Sequence, residues 1–261
     1  MLTTFPMLFH RDLGGAGLPP LVILPGFLGS SRNWQTAGAA LAVRYHVRAL
    51  DLRNHGRSPA SPEMTFDAMS DDVLRWMDAQ NLETAALLGH SLGGKVAMRL
   101  ACRQAGRVAR LIAIDIAPKA YPGMAQRAEV VAMNELRLEG LHSRAEAELR
   151  LEARVDSWAM RKFLVSNLER DAEGHWRWTV NLPVLIGALP GLVKDPLEAG
   201  DRFDGPTIFI LGGKSRFVEA GDHATIREHF PAATIRIIPD SGHNPHFEAR
   251  EAFVRAVLAE A

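Results

Sequence analysis

An α/β architecture, with a mainly parallel sheet flanked by helices, is predicted for this chain by three observations. Short runs of β-branched and aliphatic residues alternate with longer stretches of helical periodicity, as in consecutive βαβ units. The runs are apolar almost throughout, as strands covered on both faces require. Apolar residues make up 47% of the 261 and charged residues 23%, which is enough for a sizeable core.

The strands are predicted at 21–25 (LVILP), 46–51 (HVRALD), 85–89 (AALLG), 111–115 (LIAID), 207–211 (TIFIL) and 234–238 (TIRII). Residues 3–9 are read as an added antiparallel edge strand. Helical periodicity follows these strands at 34–43, 66–80, 92–104, 220–229 and 250–260. Residues 121–201 break the rhythm. There 125–139, 143–153 and 157–168 read as amphipathic helices, followed by the Trp-bearing stretch 174–179 and a short helical run at 183–189. With no strand signal in about eighty residues, this block is predicted to be an inserted helical cap. The expected organisation is a core of residues 1–118 and 204–261 and a cap of residues 119–203.

Lys plus Arg and Asp plus Glu stand at 30 each, so the formal net charge is zero. That leaves no cationic excess to hold a phosphate backbone, and nucleic acid is not an expected partner. The single cysteine, Cys102, rules out an intramolecular disulfide and a cysteine-cluster metal site. The opening MLTTFPMLFHRDLGG lacks the basic and apolar regions of a signal peptide, and no apolar run reaches the roughly 18 residues of a membrane span. The expectation is a cytoplasmic protein acting on a small molecule, its oligomeric state open.

The chemistry is carried first by Gly89-His90-Ser91-Leu92-Gly93, a G-x-S-x-G pattern between an apolar strand and a helix. A serine on so sharp a turn needs small flanking residues, which the two glycines provide. The following helix N-terminus directs amides at the site, where they stabilise a developing oxyanion. Ser91 is therefore the candidate nucleophile. Its hydroxyl needs a base, and His243 lies in the loop after the last predicted strand (PDSGHNPHFE), where that base is expected. His246 shares the loop but begins the next helical pattern, and it is read as a pocket or surface residue.

The acid that orients the imidazole is commonly found after the strand at 207–211, but that loop carries Ser215 where an acid is expected. Asp115, at the end of IAIDIAP, is the alternative. A lone acid in so apolar a run is costly to bury without a partner, so Asp115 is assigned and Asp240 is left as a turn residue. Replacing Ser215 by alanine is expected to matter little. The oxyanion amides are assigned to Leu92, after the nucleophile, and to Phe27, in the loop Gly26-Phe27-Leu28-Gly29. The polar run 51–58 (DLRNHGRS) is expected to brace the nucleophile turn. Leu28, Trp158, Phe163, Trp178 and Phe217 are candidates for the substrate pocket, although cap packing explains the aromatics equally well. Cys102 is read as buried and inert.

Taken together, LPGFLGSSRNW, DLRNHGRSP, GHSLGGKVAM, IAIDIAP, LGGKSRFV and SGHNPHFE resemble the α/β-hydrolase fold esterases of the small bacterial YbfF type. The similarity runs from about Leu21 to the C-terminus and is thinner in the cap. Lys95 and the Asp115-Ile116-Ala117-Pro118 run are its more specific marks. The resemblance implies the earlier-strand acid at Asp115, hydrolysis of carboxyl esters and acyl-CoA thioesters, and no cofactor or metal. Pro25 departs from it, since many relatives carry histidine there. The same residues are compatible with carbon–carbon bond hydrolysis, lactone opening or perhydrolysis, and with a non-catalytic ligand-binding protein of this fold. Dehalogenase and epoxide hydrolase chemistry would need a carboxylate where Ser91 stands.

Overall fold

Leu21, Ile23, Leu88, Ile112, Ile208 and Ile210 pack on one face of a central sheet, and Val22, Leu24, Leu87, Leu111, Phe209 and Leu211 on the other. Successive strand residues point to opposite faces, so runs such as LVIL and TIFIL fill two cores at once. In the computed structural model, residues 7–124 and 127–259 are described. Among them the sheet has seven strands. These are β1 (His10–Asp12), β2 (Pro20–Leu24), β3 (His46–Leu50), β4 (Ala85–His90), β5 (Val108–Ile114), and, after a two-stranded hairpin numbered β6 and β7 below, β8 (Thr207–Gly212) and β9 (Ala233–Ile238). Their order is β1-β3-β2-β4-β5-β8-β9. Every neighbouring pair is parallel except β1 with β3.

The antiparallel edge strand lies later than predicted. His10–Asp12 pairs with β3, whereas residues 7–9 form no regular element and residues 3–6 lie outside the described residues. Phe9 still touches the sheet, since its carbonyl accepts from Asp51 N at 2.9 Å.

Helix α1 (Gln35–Leu41) packs on the core that holds Leu21 and Ile23, together with the C-terminal helix α10 (Arg250–Leu258). Helices α2 (Phe66–Ala79) and α3 (Leu92–Arg103) cover the other face through Met69, Val73, Trp76, Val96 and Leu100. Thr65 caps α2, its side chain accepting from Ala68 N at 3.2 Å. Between β5 and β8 stand α4 (Ala128–Glu135), α5 (Arg144–Leu151), α6 (Trp158–Val165) and α7 (Leu182–Leu192). Two short helices, α8 (His223–His229) and α9 (Pro245–Glu248), complete the C-terminal part. Among the described residues, no helix is long and apolar enough to cross a membrane.

The inserted segment is not purely helical as expected. β6 (Leu168–Arg170) and β7 (Trp176–Trp178) form an antiparallel hairpin inside it. Three residues per strand leave no room for a readable alternation. The hairpin is held instead by its turn, where Asp171 N donates to His175 O at 2.9 Å, and by the Arg170 guanidinium 4.4 Å above the Trp176 ring.

The carboxyl ends of β2, β4, β5, β8 and β9 share one edge of the sheet. The chain leaves β2 toward β3 on one side, and β4 lies on the other. Loops diverge at such a reversal and leave a crevice above it.

Candidate active site

Ser91 joins β4 to α3 with φ 51 and ψ −115, a conformation that costs a non-glycine residue about 1–3 kcal/mol. The surrounding glycines make this turn possible. A Cβ on Gly93 would lie 2.1 Å from Leu24 O, and one on Gly89 would lie 2.3 Å from Gly93 O. The helix therefore starts in close contact with β2. Ser91 N donates to Ile114 O at 3.2 Å, tying the bend to the end of β5. Ser91 is half-buried, and its hydroxyl takes part in no hydrogen bond among the described residues.

Asp115 follows β5 with φ 47 and is fully buried. Its Oδ1 accepts from Gly212 N at 2.9 Å, and its Oδ2 accepts from His243 Nδ1–H at 2.8 Å. Ser215 Oγ donates to that same Oδ2. With Nδ1 donating, the neutral His243 ring leaves Nε2 as a proton acceptor. Phe217 stacks on the ring at 3.6 Å between centroids, 14° from parallel. The backbone around His243 is fastened by Glu248, whose carboxylate accepts from Gly242 N at 2.6 Å and Asn244 N at 3.0 Å. His90 Nε2–H donates to His243 O at 2.8 Å, so the residue beside Ser91 binds the segment that carries the imidazole.

Two more imidazoles lie against His243. Burial first, then the neighbouring histidines, holds the His90 pKa well below its ordinary value. Burial, with His243 beside it, pushes His246 down to about 3. His246 is buried and stacks on Trp34 at 4.1 Å between centroids. A positive charge in this cluster is unfavourable on either of these rings.

Phe27, Ser91, Leu92 and Phe217 line one open cleft, with Lys95, Ile116, Tyr121, Met124, Arg127, Leu189, Leu192 and Val193. Among the described residues, no hydrogen bond engages the Phe27 or Leu92 amide. The loop that holds Phe27 is fixed at its next residue. Leu28 has φ 61, its N–H donates to His55 Nε2 at 3.2 Å, and its carbonyl accepts from Asn167 Nδ2 at 3.0 Å. His55 Nδ1–H in turn donates to Arg53 O at 2.9 Å. The polar run 51–58 thus braces the loop after β2 rather than the nucleophile turn. Asp51 completes that support by accepting from Ser31 N at 2.6 Å. Asn54 also reaches the inserted segment, its carbonyl accepting from Asn181 N at 2.9 Å.

The other pocket candidates scatter. Leu28 is buried, Phe163 packs against the core, and Trp158 is 62% exposed at the start of α6. Trp178 lines a separate depression with Trp176 and Leu136, and His246 lies beneath the His243 loop. Of that set, Phe217 alone lines the Ser91 cleft. Aromatic identity carries no information about which side of a helix or hairpin faces the cleft.

Tyr121 had no sequence signal of its own. Tyr121 OH accepts from Ala117 N and donates to Phe217 O, both at 2.9 Å, locking the stacked ring in place. Lys95, one turn after Ser91, donates from Nζ to Lys194 O at 2.5 Å and is pulled down to about 8 by burial. Cys102 is half-buried, and burial pushes its thiol up to about 12, which keeps it protonated.

Residues 19–146 match the family model described as alpha/beta hydrolase fold. The chain is 35% identical to the mouse (Mus musculus) sn-1-specific diacylglycerol lipase ABHD11, over 99% of this chain and 86% of that protein. It is 32% identical to esterase YbfF of Escherichia coli K12, over 91% of each. Among solved structures, a marine microorganism esterase superposes with a TM-score of 0.94 at 31% identity, covering 98% of this chain and 99% of the other.

Proposed function

The chain belongs to the α/β-hydrolase family and is a carboxylic ester hydrolase; we propose that it works through Ser91, His243 and Asp115 by way of an acyl-enzyme. His243 Nε2 takes the Ser91 proton as Oγ attacks the ester carbonyl. The Phe27 and Leu92 amides receive the oxyanion. His243 then protonates the leaving alcohol, activates water, and the acid departs. Proton transfer needs Oγ and Nε2 within about 2.6–3.2 Å, a distance that commonly closes only when substrate is bound.

The observation that carries this reading is the 2.8 Å hydrogen bond from His243 Nδ1–H to buried Asp115, which leaves Nε2 as the acceptor on a segment that His90, the neighbour of the strained Ser91, binds at 2.8 Å. The segment between β5 and β8 is read as the cap, with Leu189 and Leu192 of α7 supplying one wall of the cleft. Small-molecule carboxyl esters are the proposed substrates, with acyl-CoA thioesters as a further class. A single cysteine fits a reducing, cytoplasmic setting.

A panel of p-nitrophenyl esters and acyl-CoA thioesters, assayed with the wild type and Ser91→Ala, tests the reaction and the chain-length range together. Ester cleavage lost in Ser91→Ala is the expected result. Unchanged turnover in that variant would remove Ser91 from the chemistry.

A further inference from the structure

Lys95 N donates to Ser91 O at 3.1 Å, closing the first turn of the helix that begins at the proposed nucleophile. The side chain is only 3% exposed, and a lysine is rarely buried unless its charge is met. It crosses to the inserted segment, where Nζ donates to Lys194 O at 2.5 Å and to Leu192 O at 3.4 Å.

Leu192 is the last residue of α7. Carbonyls that end a helix lack intrahelical donors and carry its negative partial charge, so an ammonium there answers both needs. Pro190 lies within the last turn of α7 and has no N–H to give, which leaves that turn more dependent on outside partners. The same stretch forms one side of the Ser91 cleft through Leu189, Leu192 and Val193. Val193 O accepts from Tyr121 N at 2.7 Å, and Tyr121 OH donates to Phe217 O, whose ring covers His243. Lys95 therefore joins the helix of the nucleophile directly to the wall that the inserted segment supplies.

The surroundings make this link sensitive to protonation. The rings of Tyr121 and of Phe66 on α2 lie 4.9 and 5.5 Å from Nζ, where they favour a cation. Asp195, just beyond α7, also favours the ammonium, and Arg127 shares the cleft. Nearby charges are otherwise paired: Arg99 with Asp67 and Asp201, and Lys119 with Asp222. Burial keeps the Tyr121 hydroxyl protonated. Burial also outweighs Asp195 at Lys95 and pulls it down to about 8, so the neutral amine forms at mildly alkaline pH.

We propose that Lys95 is a positioning residue for ester cleavage, its ammonium fixing the end of α7 against the nucleophile helix and so setting how closely the cleft fits its substrate. The proposal rests on the reading of Ser91 as nucleophile and adds the control of the cleft wall to it.

Steady-state kinetics on p-nitrophenyl esters from acetate to octanoate, run from pH 7 to 9.5 on the full chain, tests this. In the wild type, KM for the best ester should rise about tenfold across that range while kcat moves less, the scale of one hydrogen bond to a charged group. Lys95→Met should show the high KM already at pH 7, no alkaline rise, and a flatter preference among chain lengths. Lys95→Arg keeps its charge throughout, so its KM should stay level with pH and below that of Lys95→Met. A wild-type KM that is flat with pH, an alkaline rise that persists in Lys95→Met, or a wild-type KM in Lys95→Met at pH 7 overturns the inference. So does a loss of kcat alone, which would place Lys95 in the chemistry. If a replacement fails to fold by far-UV spectroscopy, the wild-type profile decides. Each of these leaves the nucleophile reading standing, whereas ester cleavage that persists in Ser91→Ala, or none in the wild type, overturns both.

Discussion

Ser215 Oγ donates a hydrogen bond to Asp115 Oδ2, the oxygen that also accepts from His243 Nδ1–H. The same Oγ accepts from Phe217 N at 3.2 Å, and the Phe217 ring stacks on the imidazole. One hydroxyl therefore links the acid to the ring that covers the base. Ser215 stands where an acid was sought, and from sequence its loss was expected to matter little. Its position gives it a supporting role instead.

Ser215→Ala should lower kcat by about tenfold with KM little changed, the scale of one hydrogen bond to a charged group. Ser215→Thr, which keeps the hydroxyl, should restore most of the rate. Steady-state kinetics on one good ester separates this from a mere loss of fold, and equal activity in all three proteins would strip Ser215 of the role.

Asp115→Asn should lower kcat by roughly 10³–10⁴, because an amide no longer fixes the acceptor tautomer of His243. Asparagine tolerates the positive φ at this position, so the variant should keep its far-UV spectrum and melting behaviour. Activity near that of the wild type would show that the acid lies elsewhere.

Glu248→Ala removes the carboxylate that accepts from Gly242 N and Asn244 N on either side of His243. The imidazole then loses its fixed position, and kcat should fall by about tenfold while KM moves less. A pure KM effect would place Glu248 in substrate binding instead.

Stability should decline as the solution is acidified below about pH 6.5. His246 is held near 3 when folded, against 6.5 for an exposed imidazole, so between these values the unfolded chain binds the extra proton. Stability is full above 6.5 and is lost progressively toward 3, by up to about 1.4 kcal/mol per pH unit for one such group. The buried His90 and His55 shift in the same direction. Urea titrations at several pH values should show a shallower decline for His246→Phe, which keeps the stack on Trp34. An identical pH slope in that variant would mean that His246 is protonated in the folded state.

Much of this was legible before any coordinates. The runs LVIL, AALLG and TIFIL declared strands buried on two faces, and GHSLG between strand and helix declared a strained serine with room made by Gly89 and Gly93. Asp115 was readable because an acid in IAID needs a partner. Less was readable where the signal was short. The three-residue strands Leu168–Arg170 and Trp176–Trp178 have no period to detect, and the edge strand at His10–Asp12 is set by pairing with β3.

The sequence by itself determined the layered sheet and the sharp serine turn, and it named the candidates for nucleophile, base and acid, because each rests on local patterning or on a residue type placed at a strand end. Tertiary structure alone decided which side chains surround them. Leu28, Phe163 and Trp158 are not among the residues that line the Ser91 cleft, whereas Lys95, Tyr121 and Arg127 are. The physical reason is that a cleft wall is assembled from segments far apart in the chain. Its composition depends on how the segment between β5 and β8 meets the strand-end loops, and no spacing along the sequence encodes that.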